Sequence, residues 1–203
     1  MVLADLSLDQ GFADPVRASQ SVFRHVMNAM ARPGTLETVV SDVEGPTFLM
    51  PAAAALALTL CDHDTPVWLD PNFAGEAQIA AWLRFQTSAP VMGDTRRAAF
   101  AFISRGADLP AFEMFASGTP DYPDRSTTLV VQVDSLTEGP GVTLTGPGIR
   151  NIGTLSAGAL PPDFVERMQV NRALFPLGVD LVLVCGAQLV ALPRSTHVAR
   201  ETS

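Results

Sequence analysis

Asp180-Leu181-Val182-Leu183-Val184-Cys185-Gly186-Ala187-Gln188-Leu189-Val190-Ala191-Leu192 is the stretch that decides the fold. Two apolar runs flank Gly186-Ala187, the pattern of two strands joined by a tight turn. Upstream, Ala98–Ile103 is short and apolar throughout, which suits a strand buried on both faces. Thr128–Val133 and Val142–Thr145 add two more strands, the second alternating Val and Leu with threonines. Val67-Trp68-Leu69 gives a short one, and Thr35–Val40 another.

Helical stretches lie between these strands. Asp14-Pro15 opens a helix, because Asp caps free backbone N–H groups and Pro suits the first helical position. Val16, Phe23, Val26, Met27 and Met30 follow at helical spacing, and Pro33-Gly34 ends the run. Pro51–Leu60 is apolar nearly all round and reads as a buried helix. Glu76–Phe85, Leu109–Ala116 and Pro162–Leu174 read as three more. Helices and strands alternate rather than segregate. This predicts a three-layer αβα sandwich of the α/β class, with a mixed sheet because of the final hairpin. The expected organisation is an N-terminal segment over 1–14, one α/β domain over 15–198 and a tail over 199–203.

The chain has 203 residues, 47% of them hydrophobic, and a formal net charge of −8. A chain of this size removes roughly 70% of its surface from water on folding, enough for a core without staples. Nucleic-acid binders concentrate positive charge against phosphate. Here Arg96-Arg97 is the one basic pair, which argues against a nucleic-acid partner. The apolar stretches Phe48–Leu60 and Leu181–Leu192 are too short to span a bilayer. Cys61 and Cys185 lie in apolar runs, as reduced, packed cysteines do. The N-terminus carries no signal-peptide pattern, so a cytoplasmic protein is expected.

All 13 cationic side chains are arginine; the sequence contains no lysine. No aldimine with pyridoxal phosphate or a carbonyl substrate can form on a lysine here, and there is no P-loop lysine. No covalently bound cofactor is expected.

Four constellations carry candidate chemistry. Asp62-His63-Asp64, with distant His197, offers carboxylates and imidazoles for proton transfer or a metal. Its spacing fits no helix-borne ligand motif, so no metal site is assigned, and an Asp-capped turn is the favoured reading. Thr145-Gly146-Pro147-Gly148-Ile149 follows a strand. It reads either as a Pro-Gly turn or as a loop exposing N–H groups to an anion. Arg194, beside Ser195 and Thr196, offers a planar fork for phosphate or carboxylate, or a salt bridge to a nearby Asp. A Ser–His–acid triad has no Gly-x-Ser-x-Gly elbow to stand on. Both thiols are poor nucleophiles if buried. No catalytic residue is assigned. Asp62, His63, Arg194, His197, Gly146 and Gly148 are the candidate ligand-binding residues.

An ordered series of blocks goes further. Phe23-Arg24, Ala29-Met30 and Pro33-Gly34 come first, followed by Leu58-Thr59-Leu60-Cys61-Asp62-His63-Asp64-Thr65-Pro66-Val67-Trp68-Leu69. Leu83-Arg84-Phe85, Ala89-Pro90, Ser117-Gly118-Thr119 and Thr145-Gly146-Pro147-Gly148-Ile149 continue it. Phe175-Pro176-Leu177-Gly178-Val179-Asp180-Leu181 and Leu192-Pro193-Arg194-Ser195-Thr196-His197-Val198 close it. Over roughly residues 15 to 198 this series resembles the PhnH family, the H subunits of the bacterial carbon–phosphorus lyase system. Gly93–Ala111 departs from that pattern.

The resemblance implies a reduced pyridoxal-phosphate-dependent transferase fold without the cofactor. It implies a role in phosphonate metabolism, as a non-catalytic or co-catalytic subunit of a transferase/lyase complex. That complex transfers alkylphosphonate onto the ribose C1 of ATP, releasing adenine and forming ribose 1-alkylphosphonate 5′-triphosphate. ATP and phosphonate are substrates of the complex, whose nucleosidase centre belongs to another subunit. The implied partners are the G, I, J, K and L subunit types, with a homodimer when isolated. The residues leave two alternatives open: a stand-alone transferase or hydrolase using Asp62-His63-Asp64, and a dimeric small-ligand binding module.

Overall fold

The computed structural model describes residues 11 to 201, apart from positions 41 and 44. Most of the expected N-terminal segment and the last two tail residues lie outside the described residues.

In chain order the elements are α1 (Pro15–Ala31), β1 (Glu37–Thr38), α2 (Pro51–Leu60), β2 (Val67–Leu69), α3 (Pro71–Gly75), α4 (Ala77–Thr87), β3 (Phe100–Ile103), β4 (Thr128–Gln132), β5 (Gly141–Thr145), β6 (Gly153–Ser156), α5 (Phe164–Ala173), β7 (Asp180–Cys185), β8 (Gln188–Leu192) and β9 (His197–Arg200). Six strands form one sheet in the order β1-β8-β7-β4-β3-β2. β2, β3, β4 and β7 run parallel, and β8 returns antiparallel through the Gly186-Ala187 turn. The sheet is mixed for the reason the hairpin gave.

Alternation along the strands divides the core in two. Val130, Val182, Val184, Leu189 and Ala191 face α1, α2, α3 and α4. Leu129, Val131, Leu181, Leu183, Val190 and Leu192 face the opposite layer. That layer is not helical throughout. It combines α5 with a second, three-stranded antiparallel sheet in the order β6-β5-β9. The described residues thus form three layers, the third of them part helix and part sheet.

Local chemistry explains most of the helices. Asp14 accepts a hydrogen bond from the Arg17 N–H at 3.2 Å, the cap expected of Asp-Pro. Ala52 to Ala57 of α2 are all buried. All but Leu56 carry only a methyl group, which lets the helix lie close to the sheet, and the Ala52 N–H donates to Gly186 O at 3.0 Å, tying α2 to the hairpin turn.

Three expectations change. Leu109–Ala116 is not an α-helix: the 3-10 turn Gly106–Asp108 precedes it and a second one, Phe112–Met114, lies within it. Pro110 lacks an N–H and drives Leu109 out of the helical region, to ψ 117. The strand Thr35–Val40 contracts to β1; past Thr38 its partner has already reached the hairpin turn, where the Val39 N–H donates to Ala187 O at 2.8 Å. β9 carries Ala199 and Arg200, which the sequence reading left to the tail. Arg200 pairs in register with Val142 and reaches Glu166 at 2.7 Å.

Candidate functional site

The N-terminal ends of the parallel strands bring several sequence blocks together. Asp180 opens β7, and Arg194 follows β8 directly beside it. Both side chains are 13% exposed. The Arg194 Nε donates to Asp180 Oδ1 at 3.1 Å, and its Nη2 to Asp180 Oδ2 and Ser126 Oγ. The Nη1 donates to Pro123 O at 2.7 Å and Pro176 O at 3.4 Å. A guanidinium has five N–H donors, and these contacts use all of them. Arg194 is therefore the salt bridge to an Asp weighed in the sequence, and a clip on loops 118–126 and 174–178. It has no donor left for a phosphate.

Asp62 and His63 sit apart from it. Their turn precedes β2, and β2 lies three strand spacings from β7, roughly 14 Å. Asp62 Oδ1 accepts from the Asp64 N–H at 2.9 Å and the Thr65 hydroxyl at 2.7 Å, closing an Asx turn. Those two bonds hold the Asp62 carboxyl below the usual Asp range. His63 pairs with Asp64 at 3.2 Å, both well exposed. Burial, with the Asp62 charge second, pushes the neighbouring Cys61 thiol up to about 12. It is no nucleophile at neutral pH.

His197 and Gly146 do come together. His197 pairs in register with Thr145, and a Cβ on Gly146 would lie 3.1 Å from Ser195 O. Gly148, at φ +81, packs on the end of α1, where a Cβ would stand 2.1 Å from Ala31 O. The loop is a docked turn in this arrangement. Of the six candidates, the structure unites Gly146 with His197, and leaves Asp62 and His63 remote from Arg194.

Two groupings escaped the sequence reading. The Glu37 carboxylate on β1 accepts from His25 Nδ1 at 2.7 Å and from the Asn28 amide, fastening α1 to the sheet edge. The other grouping lies at the C-terminal ends of the parallel strands. The chain leaving β2 passes into α3 and packs Phe73 on one face. The chain leaving β3 packs Leu109 and Phe112 on the opposite face. Where neighbouring strands send their connections to opposite faces, a crevice opens at their carboxyl ends. Here it measures about 360 Å³ and is lined by Phe48, Asn72, Phe73, Glu76, Ser104, Arg105 and Gln132.

Its floor is a closed polar network. Buried Asp70 accepts from the Phe73 N–H at 2.8 Å, the Ser104 N–H at 2.9 Å and the Ser104 hydroxyl at 2.6 Å. Asn72 Nδ2 donates to Ser104 Oγ at 3.0 Å. Gln132 Nε2 donates to Phe48 O at 3.1 Å and Ser104 O at 3.4 Å, while its Oε1 accepts from the Met50 N–H at 2.7 Å. The signal in the sequence is a polar residue ending each apolar strand: Asp70, Ser104 and Gln132. Its meaning depends on which strand ends are neighbours, and the sequence does not show that.

Among the described residues, no serine, threonine or cysteine hydrogen-bonds a histidine, and no group of three or more His, Cys, Asp or Glu is placed to hold a metal. No helix there is long and apolar enough to cross a membrane. The fold and sites define an α/β protein with an open crevice and, among the described residues, no hydroxyl or thiol paired with a histidine.

Comparison with known proteins specifies which. The family model described as "Bacterial phosphonate metabolism protein (PhnH)" matches residues 10–199, and the chain belongs to that family. It is 45% identical over 190 residues to "Alpha-D-ribose 1-methylphosphonate 5-triphosphate synthase subunit PhnH" of Rhizobium meliloti (strain 1021), covering 94% of each chain. It is 29% identical over 179 residues to "Putative C-P lyase subunit protein HtxG" of Stutzerimonas stutzeri, covering 88% of this chain and 85% of that one.

Proposed function

We propose that this chain is a subunit of a carbon–phosphorus lyase assembly. In that role it is required, with its partner subunits, for transfer of alkylphosphonate onto the ribose C1 of ATP with release of adenine. The observation that carries this reading is the near end-to-end relationship to a ribose 1-methylphosphonate 5-triphosphate synthase subunit. The internal chemistry supports a contributory role rather than a self-sufficient one. Arg194 is consumed by its own fold, Asp62 is closed in a turn and Cys61 is held protonated.

The partners in this reading are subunits of the G, I, J, K and L types, and the compartment is the cytoplasm. Homodimer formation and kinship with the pyridoxal-phosphate-dependent transferases belong to the same proposal and rest on the resemblance alone. ATP and phosphonate are substrates of the assembly, and without lysine this chain forms no aldimine with pyridoxal phosphate. The stand-alone enzyme reading is the weaker one, because Asp62 is closed in its own turn by the Thr65 hydroxyl and His63 pairs with its exposed neighbour Asp64. The small-ligand module has one observation in its favour, the crevice.

Deletion of the gene tests the proposal. Growth on methylphosphonate as sole phosphorus source is expected to stop, growth on phosphate to continue, and a plasmid copy to restore the first. A deletion strain that grows normally on methylphosphonate overturns it.

A further inference from the structure

We infer that the crevice at the C-terminal ends of β2, β3 and β4 binds a small phosphorylated ribonucleoside. This goes beyond assembly membership and does not depend on it. The position alone is informative, because open α/β sheets place ligands where adjacent connections part to opposite faces. At about 360 Å³ the space falls within the range of small-ligand sites.

The floor is built before any ligand arrives. Asp70, Ser104 and Gln132 are tied to one another and to the backbone at 48 and 50, so they fix the walls instead of contacting a ligand. The groups left available differ in kind. Phe48 is 55% exposed, on a loop whose carbonyl Gln132 holds, and offers a ring face. Glu76 lines the crevice with an acceptor-only carboxylate. Asn72 has its amide nitrogen on Ser104 and keeps its Oδ1 as a second acceptor. Arg105 is exposed, and its ion pair to Asp108 is loose at 4.0 Å.

An aromatic face, paired acceptors and a loosely paired guanidinium match the three parts of one molecule. A base stacks on the ring, ribose hydroxyls donate to a carboxylate, and a phosphate takes a guanidinium fork. A bare oxyanion matches worse, because it would leave the Phe48 ring and the Glu76 and Asn72 acceptors unused. A purely apolar ligand would leave these polar groups without partners.

The test is calorimetric titration of the full chain with AMP, alongside adenosine, ribose 5-phosphate and inorganic phosphate. AMP is expected to saturate a single site. Adenosine and ribose 5-phosphate should each bind at least about 10-fold more weakly, since each lacks one of the three contacts. Arg105→Gln and Glu76→Gln should each weaken AMP about 10-fold, while Arg17→Gln on α1 leaves it unchanged. Absence of saturable AMP binding overturns the inference. So does AMP binding that neither crevice substitution weakens. Far-ultraviolet circular dichroism of each variant separates lost binding from lost folding. AMP binding is read on the isolated chain and phosphonate growth in cells, so either proposal can fail alone.

Discussion

Replacing Arg194 by Met gives the sharpest stability prediction. The guanidinium holds Asp180, Ser126 Oγ and the carbonyls of Pro123 and Pro176, and both side chains of the ion pair are 13% exposed beneath those loops' surface residues. Met keeps much of the stem's volume and removes every donor. Asp180 keeps one bond in this group, from the backbone N–H of Arg194 at 2.8 Å. Breaking a buried pair from one side costs about 3–5 kcal/mol, because the surviving charge stays desolvated. For a chain of this size that lowers the melting temperature by roughly 10 °C. Arg194→Lys should lose most of the same stability, since a single ammonium cannot reproduce the fork.

Urea denaturation followed by circular dichroism measures the effect. The double variant Asp180→Leu/Arg194→Met should regain about 2 kcal/mol relative to the summed single losses. If Arg194→Met falls within about 1 kcal/mol of the parent, the guanidinium is not a clip and the structural account of this edge is wrong.

Gly148→Ala should destabilise by roughly 2 kcal/mol or more, because a positive φ and a backbone clash at Ala31 combine, whereas Gly186→Asn in the open hairpin turn should be near neutral. With a thiol reagent at pH 8, Cys61 should stay unreacted until urea unfolds the protein, and Cys185, only partly buried, should label first; fast native-state labelling of Cys61 would contradict its burial. Asp62, Asp163 and Glu166 are held below their usual carboxylate values by the Thr65 hydroxyl, Arg167 and Arg200 respectively. Depressed folded-state values mean these contributions are complete above about pH 5 and fade as pH falls through and below 4. Asp62→Asn should therefore flatten the acid limb of a stability–pH curve, and an unchanged slope would remove the Asx turn from the account.

Local signals were the legible ones. Asp14-Pro15 capped its helix and Gly186-Ala187 turned its hairpin because each depends on neighbours within a few residues. Leu109–Ala116 misled because apolar spacing mimicked a helix while Pro110 forbade one. β6 carried too short a pattern to be seen, and β9 exists because β5 offers it a ladder more than fifty positions upstream. The site follows the same division. The Asp62 turn was readable from Asp-x-Asp-Thr alone. The exhaustion of Arg194 was not, since its acceptors lie 14 to 71 positions away. The crevice was hidden for a related reason: Asp70, Ser104 and Gln132 meet only once β2, β3 and β4 stand side by side.

Affinity purification of a tagged copy from phosphonate-grown cells, with mass spectrometry of what accompanies it, addresses the assembly reading most directly. Carbon–phosphorus lyase subunits should co-elute in fixed ratio and survive a sizing column. Recovery of the tagged chain alone, under conditions where those subunits are expressed, would contradict the account.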